Sequence, residues 1–184
     1  MGFSSMVKRV VVLGPESTGK STLCEQLASH FNTSWVPEFA RDYLLQRGAR
    51  YNYDDLLYIA QQQIKLEDQY AEKLAECNPP TLLFIDTDLY VMKVWCEYVF
   101  GKCHSWILDQ IAIRSYDLYL LCDTDLPWMK DELREYPDLK SRRELYYIYK
   151  DIMLNQPIPW INISGSYEHR LAKAVKVVDD LLIN

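Results

Sequence analysis

Gly14-Pro15-Glu16-Ser17-Thr18-Gly19-Lys20-Ser21 decides the fold. It matches GxxxxGK[ST] in full, the spacing of a phosphate-binding loop. Glycine lets the backbone curl until successive N–H groups converge on phosphate oxygens. A helix starting near Lys20 would add the positive end of its dipole. In this pattern the Lys20 ammonium reaches the β- and γ-phosphates and the Ser21 hydroxyl reaches a Mg²⁺ ion. Gly14, Glu16, Ser17, Thr18, Gly19, Lys20, Ser21 and Thr22 are therefore the candidate nucleotide-binding residues, with ATP and Mg²⁺ as the expected cofactors.

The flanks supply what the loop requires. Lys8 to Leu13, carrying Val10, Val11 and Val12, is apolar on both faces, as suits a buried parallel strand. Behind the loop a helix is predicted over Lys20–Phe31, with Leu23, Leu27 and Phe31 on its sheet face. Further strands are expected at Ser34–Val36, Thr81–Ile85, Leu118–Cys122 and Trp160–Ile163. Helices are expected up to Gly48, over Asp54–Glu76, Leu89–Val99, Ser105–Arg114, Glu144–Leu154 and Tyr167–Leu182. Asn52 is placed to cap the second of these, and Asn78-Pro79-Pro80 to stop it. Alternation of strand and helix throughout gives an α/β class with a five-stranded parallel sheet. No linker splits residues 1–184, so a single domain is expected, with a polar lid segment over about residues 123–143.

Acidic residues fall where parallel strands end. Leu82-Leu83-Phe84-Ile85-Asp86 is an apolar strand closed by a carboxylate, the position from which Asp86 would join Ser21 at the metal. Asp88 either joins the metal shell or substrate hydroxyls, or caps the next helix. Glu38 follows the second strand and could take a proton from an acceptor hydroxyl. Arg41, one turn on, could hold phosphate or orient Glu38. Lys20, Glu38 and Asp86 are candidate catalytic residues, with Arg134 and Arg142 from the lid, where Arg143 also lies. Tyr43, Tyr90 and Trp95 are candidate partners for a flat substrate ring, each equally suited to the core.

Composition narrows the partners. A net charge of −6 argues against nucleic acid, and no apolar run reaches the length of a membrane span. The five cysteines form no CxxC pair, and His30, His104 and His169 are scattered, so zinc and a disulfide framework are not expected and a reducing cytoplasm is. Cys24 and Cys122 read as small core hydrophobes, the histidines as surface residues. A GTPase would show an NKxD segment, and none occurs. A nucleoside kinase leads. A nucleotide-driven switch, or a sensor without turnover, are the competing classes; the complete Lys20, Ser21 and Asp86 set argues for transfer.

Five blocks together resemble the ribosylnicotinamide kinase domain of NadR-type proteins: GPESTGKSTL at 14–23, PEFARDYL at 37–44, IDTD at 85–88 with Tyr98 and Gly101 behind it, DLYLLCDTDLPW at 117–128 and ISGSYEHR at 163–170. The resemblance runs nearly end to end. It implies an NMP-kinase-like, three-layer α/β/α fold of the P-loop NTPase type and phosphorylation of nicotinamide riboside at its 5′-hydroxyl. On the same resemblance the arginine segment is the lid, and Gly165–Tyr167 lies near adenine, which adds Tyr167 to the nucleotide site; Glu38, Arg41, Asp88, Tyr90 and Trp95, read from their positions, are the candidate substrate-binding residues. Only a short stretch precedes the first strand, so the adenylyltransferase activity of bifunctional NadR proteins is not expected. The oligomeric state is left open by these features.

Overall fold

A computed structural model describes residues 7–48, 50–77, 81–130, 133 and 136–183. In chain order the elements are β1 (Lys8–Leu13), α1 (Lys20–His30), β2 (Ser34–Val36), α2 (Phe39–Arg47), α3 (Tyr53–Ala75), β3 (Leu82–Asp86), α4 (Leu89–Phe100), α5 (Ser105–Ile113), β4 (Leu118–Cys122), α6 (Leu139–Asn155), β5 (Trp160–Ile163) and α7 (Tyr167–Ile183). The strands form one parallel sheet in the order β2-β3-β1-β4-β5.

β1 is central because both its faces are apolar. Val10 and Val12 join Leu23, Leu27, Phe84, Leu120, Ala174 and Val178 in a core against α1 and α7. Val11 and Leu13 point the other way, into a core with Ile85, Val94, Leu121, Leu145, Tyr149 and Met153 from β3, β4, α4 and α6. These two apolar layers around one sheet make the three-layer α/β/α sandwich. Truncating a fully buried Leu such as Leu13 to Ala would cost about 2–5 kcal/mol. A third core, holding Ala40, Leu56, Ile59, Met92 and Ile107, packs α2, α3, α4 and α5 together beyond the sheet. Cys24 and Cys122 are buried, as expected, and so is Cys96.

Asn52 caps α3 through a capping box: its side chain accepts from Asp54 N and Asp55 N, and Asp55 accepts from Asn52 N at 2.8 Å. The expected stop at Asn78-Pro79-Pro80 lies outside the described residues. β3 runs one residue further than expected, so Asp86 is its last residue, paired in register with Val12.

The largest difference is at α6, which begins at Leu139 and not at Glu144. Asp138 accepts from Ser141 N at 2.7 Å and starts the helix there. The charges of Lys140, Arg142 and Arg143 hide the apolar stripe, because Arg142 itself occupies a buried position in line with Leu145, Tyr146, Tyr149 and Met153. Arg142 and Arg143 are thus helical residues, not members of a flap. His104 also departs from expectation: it is half-buried, stacked on Tyr53 with centroids 3.7 Å apart. Among the described residues no helix is long and apolar enough to cross a membrane.

Candidate active site

The glycine loop occupies the carboxyl end of β1. Gly14 has φ 141°, and a Cβ there would lie 2.7 Å from the Cys122 carbonyl oxygen of the adjacent strand, so only glycine fits. Ser17 and Gly19 take positive φ, at 56° and 78°, which curls the loop. The Thr18 hydroxyl and the Lys20 ammonium donate to Pro15 O at 2.8 and 2.9 Å. Gly14 through Thr22 all line a cleft of about 410 Å³.

Ser21 and Asp86 meet beside this loop. The Ser21 hydroxyl lies in hydrogen-bonding contact with the Asp86 carboxylate. Asp86 is 1 % exposed, and its Oδ1 has no hydrogen-bond partner among the described residues. Burial raises its pKa, against the opposing pull of Lys20, Ser21 and Arg41. A buried carboxylate oxygen without a donor, next to a hydroxyl, fits Mg²⁺, which takes one or two protein oxygens and completes its shell with phosphate and water. No cluster of three or more His, Cys, Asp or Glu side chains placed to hold a metal occurs among the described residues.

Glu38 stands in the same cleft at the end of β2, beside β3. Its environment pushes the carboxyl up to about 7: burial is the main cause, Asp86 adds repulsion, and Lys20 and Arg41 pull the other way. It keeps partial contact with the open cleft, so proton exchange is not blocked. Gln63, 3 % exposed on α3, holds the chain on both sides of it. Its Oε1 accepts from Phe39 N at 2.7 Å and its Nε2 donates to Pro37 O at 3.3 Å. This residue escapes a reading of the sequence, although a glutamine within the apolar stripe Ile59, Ala60 and Ile64 was a signal. Arg41 lines the cleft one turn beyond Glu38.

Besides the loop the cleft has apolar and aromatic lining: Val91, Trp95, Tyr98, Tyr136 and Tyr149. Trp95 is fixed by donating Nε1–H to Tyr51 Oη at 2.9 Å, and Tyr98 meets Tyr136 edge-on at 5.5 Å. Of the three expected ring partners only Trp95 is here. Tyr43 is instead hydrogen-bonded to Asp55 at 2.6 Å. Tyr98, Tyr136 and Tyr149 go unpredicted because chain spacing does not reveal that α4 and α6 face each other.

Two expected substrate residues lie elsewhere. Asp88 is buried as the cap of α4, accepting from Tyr90 N and from Tyr119 Oη, each at 3.0 Å. Tyr90 and Asp88 border a separate, small internal space with Tyr116 and Tyr119. Capping is thus the reading of Asp88 that the structure adopts. Burial raises its pKa to about 7.

Glu16 and Ser17 belong to the loop, but their side chains serve the segment after β4. Glu16 Oε1 accepts from Tyr136 N at 2.7 Å and from Trp128 Nε1 at 3.4 Å, and Ser17 Oγ accepts from Met129 N at 2.9 Å. Arg142, expected to reach the transferring group, is 2 % exposed and donates to Ser17 O at 3.2 Å and Leu126 O at 3.3 Å. Arg134 lies outside the described residues. Arg143 is exposed. Tyr167 opens α7 with its ring against the loop, 3.3 Å from where a Gly19 Cβ would be.

Sheet order, glycine loop and the Ser21–Asp86 pair define a P-loop nucleotide-binding protein. The AAA domain family model matches residues 9–170, and the chain belongs to that family. The trifunctional NAD biosynthesis/regulator protein NadR of Escherichia coli is 29% identical over 184 positions, covering 96% of this chain and 43% of the relative. Its counterpart from Salmonella typhimurium is 28% identical over the same shares. The chain thus spans less than half the length of these curated relatives. Among solved structures, NadR in complex with NR superposes with a TM-score of 0.80 at 22% identity, over 97% of this chain and 50% of that one. NadR in complex with NAD and AMP-PNP gives 0.75 at 22% identity over the same shares. Thymidylate kinase from Ehrlichia chaffeensis gives 0.65 at 15% identity, over 94% of this chain and 98% of that one. The expected NMP-kinase-like fold is the fold observed.

Proposed function

We propose that this chain is a kinase that transfers the γ-phosphate of ATP to the 5′-hydroxyl of nicotinamide riboside, giving nicotinamide mononucleotide in NAD salvage, and that residues 1–184 act as one kinase unit in the cytoplasm. One observation carries the reading: a single cleft joins the phosphate loop to an aromatic wall, with the Glu38 carboxylate in the same cleft.

The residues divide the work by position. Loop N–H groups and Lys20 hold the phosphates, and Tyr167 borders the adenine side. Ser21 and Asp86 would hold Mg²⁺, which neutralises phosphate charge when bound. Glu38, poised near neutrality, accepts the 5′-hydroxyl proton as that oxygen bonds to the γ-phosphorus and ADP leaves. Arg41 steadies the developing charge. A nicotinamide ring is cationic, and the faces of Trp95 and Tyr98 suit it. The relatives support the choice of acceptor: two are named for NAD biosynthesis, and a NadR structure holds NR.

The test is an ADP-release assay over a panel of nucleosides, with products identified by mass spectrometry. Nicotinamide riboside should give nicotinamide mononucleotide at the highest kcat/KM. If another nucleoside is preferred, the acceptor is wrong and the kinase stands; if none is phosphorylated, the kinase reading fails.

A further inference from the structure

Arg170, in the first turn of α7, is 2 % exposed and does not line the cleft. A guanidinium sunk this deep costs several kcal/mol unless its donors are satisfied. Here they reach three loops at once. Nη1 donates to Thr18 O of the phosphate loop at 2.9 Å, Nη2 to Asp123 O just after β4 at 3.0 Å, and Nε to Gly165 O just after β5 at 2.9 Å. Nη2 also pairs with Asp125, whose side chain is 39 % exposed. Arg142 grips the preceding carbonyl, that of Ser17.

A trans peptide points its C=O and its N–H in opposite directions. Holding the Ser17 and Thr18 carbonyls therefore aims the N–H groups of Thr18 and Gly19 the opposite way. The phosphate loop has no regular ladder to fix its peptide planes, and Ser17 sits at a positive φ that a non-glycine residue rarely adopts.

We propose that Arg170, assisted by Arg142, is a positioning residue for phosphate binding: the two guanidinium groups set the peptide planes of residues 17–19 before nucleotide arrives, without touching it. The inference rests on reading the cleft as the ATP site. The fork geometry carries the role, not the charge alone, because three carbonyls in different directions must be met together.

The experiment measures binding of Mg²⁺-tripolyphosphate, MgATP and nicotinamide riboside by calorimetry, using the full chain and the variants Arg170→Lys, Arg170→Ala and Asp125→Asn. A hydrogen bond to a charged group contributes about 10- to 100-fold to affinity, so misaiming one such N–H should lower tripolyphosphate and MgATP affinity by about that factor in Arg170→Lys. Nucleoside affinity should hold, and free guanidinium should restore part of the loss in Arg170→Ala. Wild-type tripolyphosphate affinity in Arg170→Lys would overturn the proposal while leaving the ATP site intact. Failure of the wild-type chain to bind MgATP would remove the reading of the cleft and the proposal with it. Should the Arg170 variants not fold, Asp125→Asn decides: it removes the one charged partner of Arg170 and leaves Nη2 held by the Asp123 carbonyl alone, and unchanged tripolyphosphate affinity there would overturn the role.

Discussion

The Asp88 carboxylate receives the Tyr119 hydroxyl at 3.0 Å, and both side chains are buried. This pair closes the start of α4 from beneath and takes Asp88 out of the substrate's reach.

Asp88→Asn should therefore keep most of its turnover and change the pH dependence of stability. The folded carboxyl titrates at about 7, above its ordinary 3.8, so the native state holds the extra proton between these values. Stability from this group is full below pH 3.8 and is lost as pH rises through 7, by up to about 1.4 kcal/mol per pH unit. Melting temperature should fall from pH 5 to pH 8 in the wild type and fall less in Asp88→Asn. Loss of turnover in a folded variant would return Asp88 to the substrate site.

Lys20→Ala should lower kcat about 100- to 1000-fold, the usual loss when one charged contact to the transition state goes. The ammonium bonds only Pro15 O within the protein among the hydrogen bonds described, so the melting temperature should barely change. Steady-state kinetics with a thermal melt checks both halves.

Asp86→Asn should raise the Mg²⁺ concentration needed for half-maximal rate, since an amide holds the hard cation poorly. It should also leave the ligand-free protein as stable or more so, because a buried carboxylate oxygen without a partner is being neutralised. A Mg²⁺ titration of rate and a melt without nucleotide test the two claims separately.

Glu38→Gln should lower kcat about 100- to 10,000-fold with a smaller effect on ATP affinity. Only the carboxylate accepts a proton, so wild-type kcat/KM for the nucleoside should rise with pH and level off at or below about 7, since a bound cation adds to the pull of Lys20. The Gln variant should lose that rising limb. If both rate and limb survive, the base lies elsewhere.

Much of this architecture is legible along the chain. The glycine loop, five strands and Asp86 at a strand end all follow from local patterns, because a buried parallel strand and a phosphate loop each impose residue types at fixed spacing. What is not legible depends on the approach of distant segments. Arg142 looks like a lid charge until α6, capped by Asp138 and beginning at Leu139, carries it to the Ser17 carbonyl. Tyr98 and Tyr136 become one wall only when α4 and the segment before α6 come together. Asp88 carries both a capping and a ligand reading in sequence, and only its burial beside Tyr119 separates them.

The strand order has a consequence for the newborn chain. β1 and β2 do not pair with each other; both take β3 as neighbour, and β1 takes β4 on its other side. Lys8 finds its ladder partner at Leu82, so no part of the sheet can zip until β3 has left the ribosome. At about 5–20 residues per second, the valine-rich β1 waits for seconds as an unpaired apolar edge. The strand that later carries the phosphate loop at its carboxyl end is thus exposed and apolar until the chain has grown past Asp86.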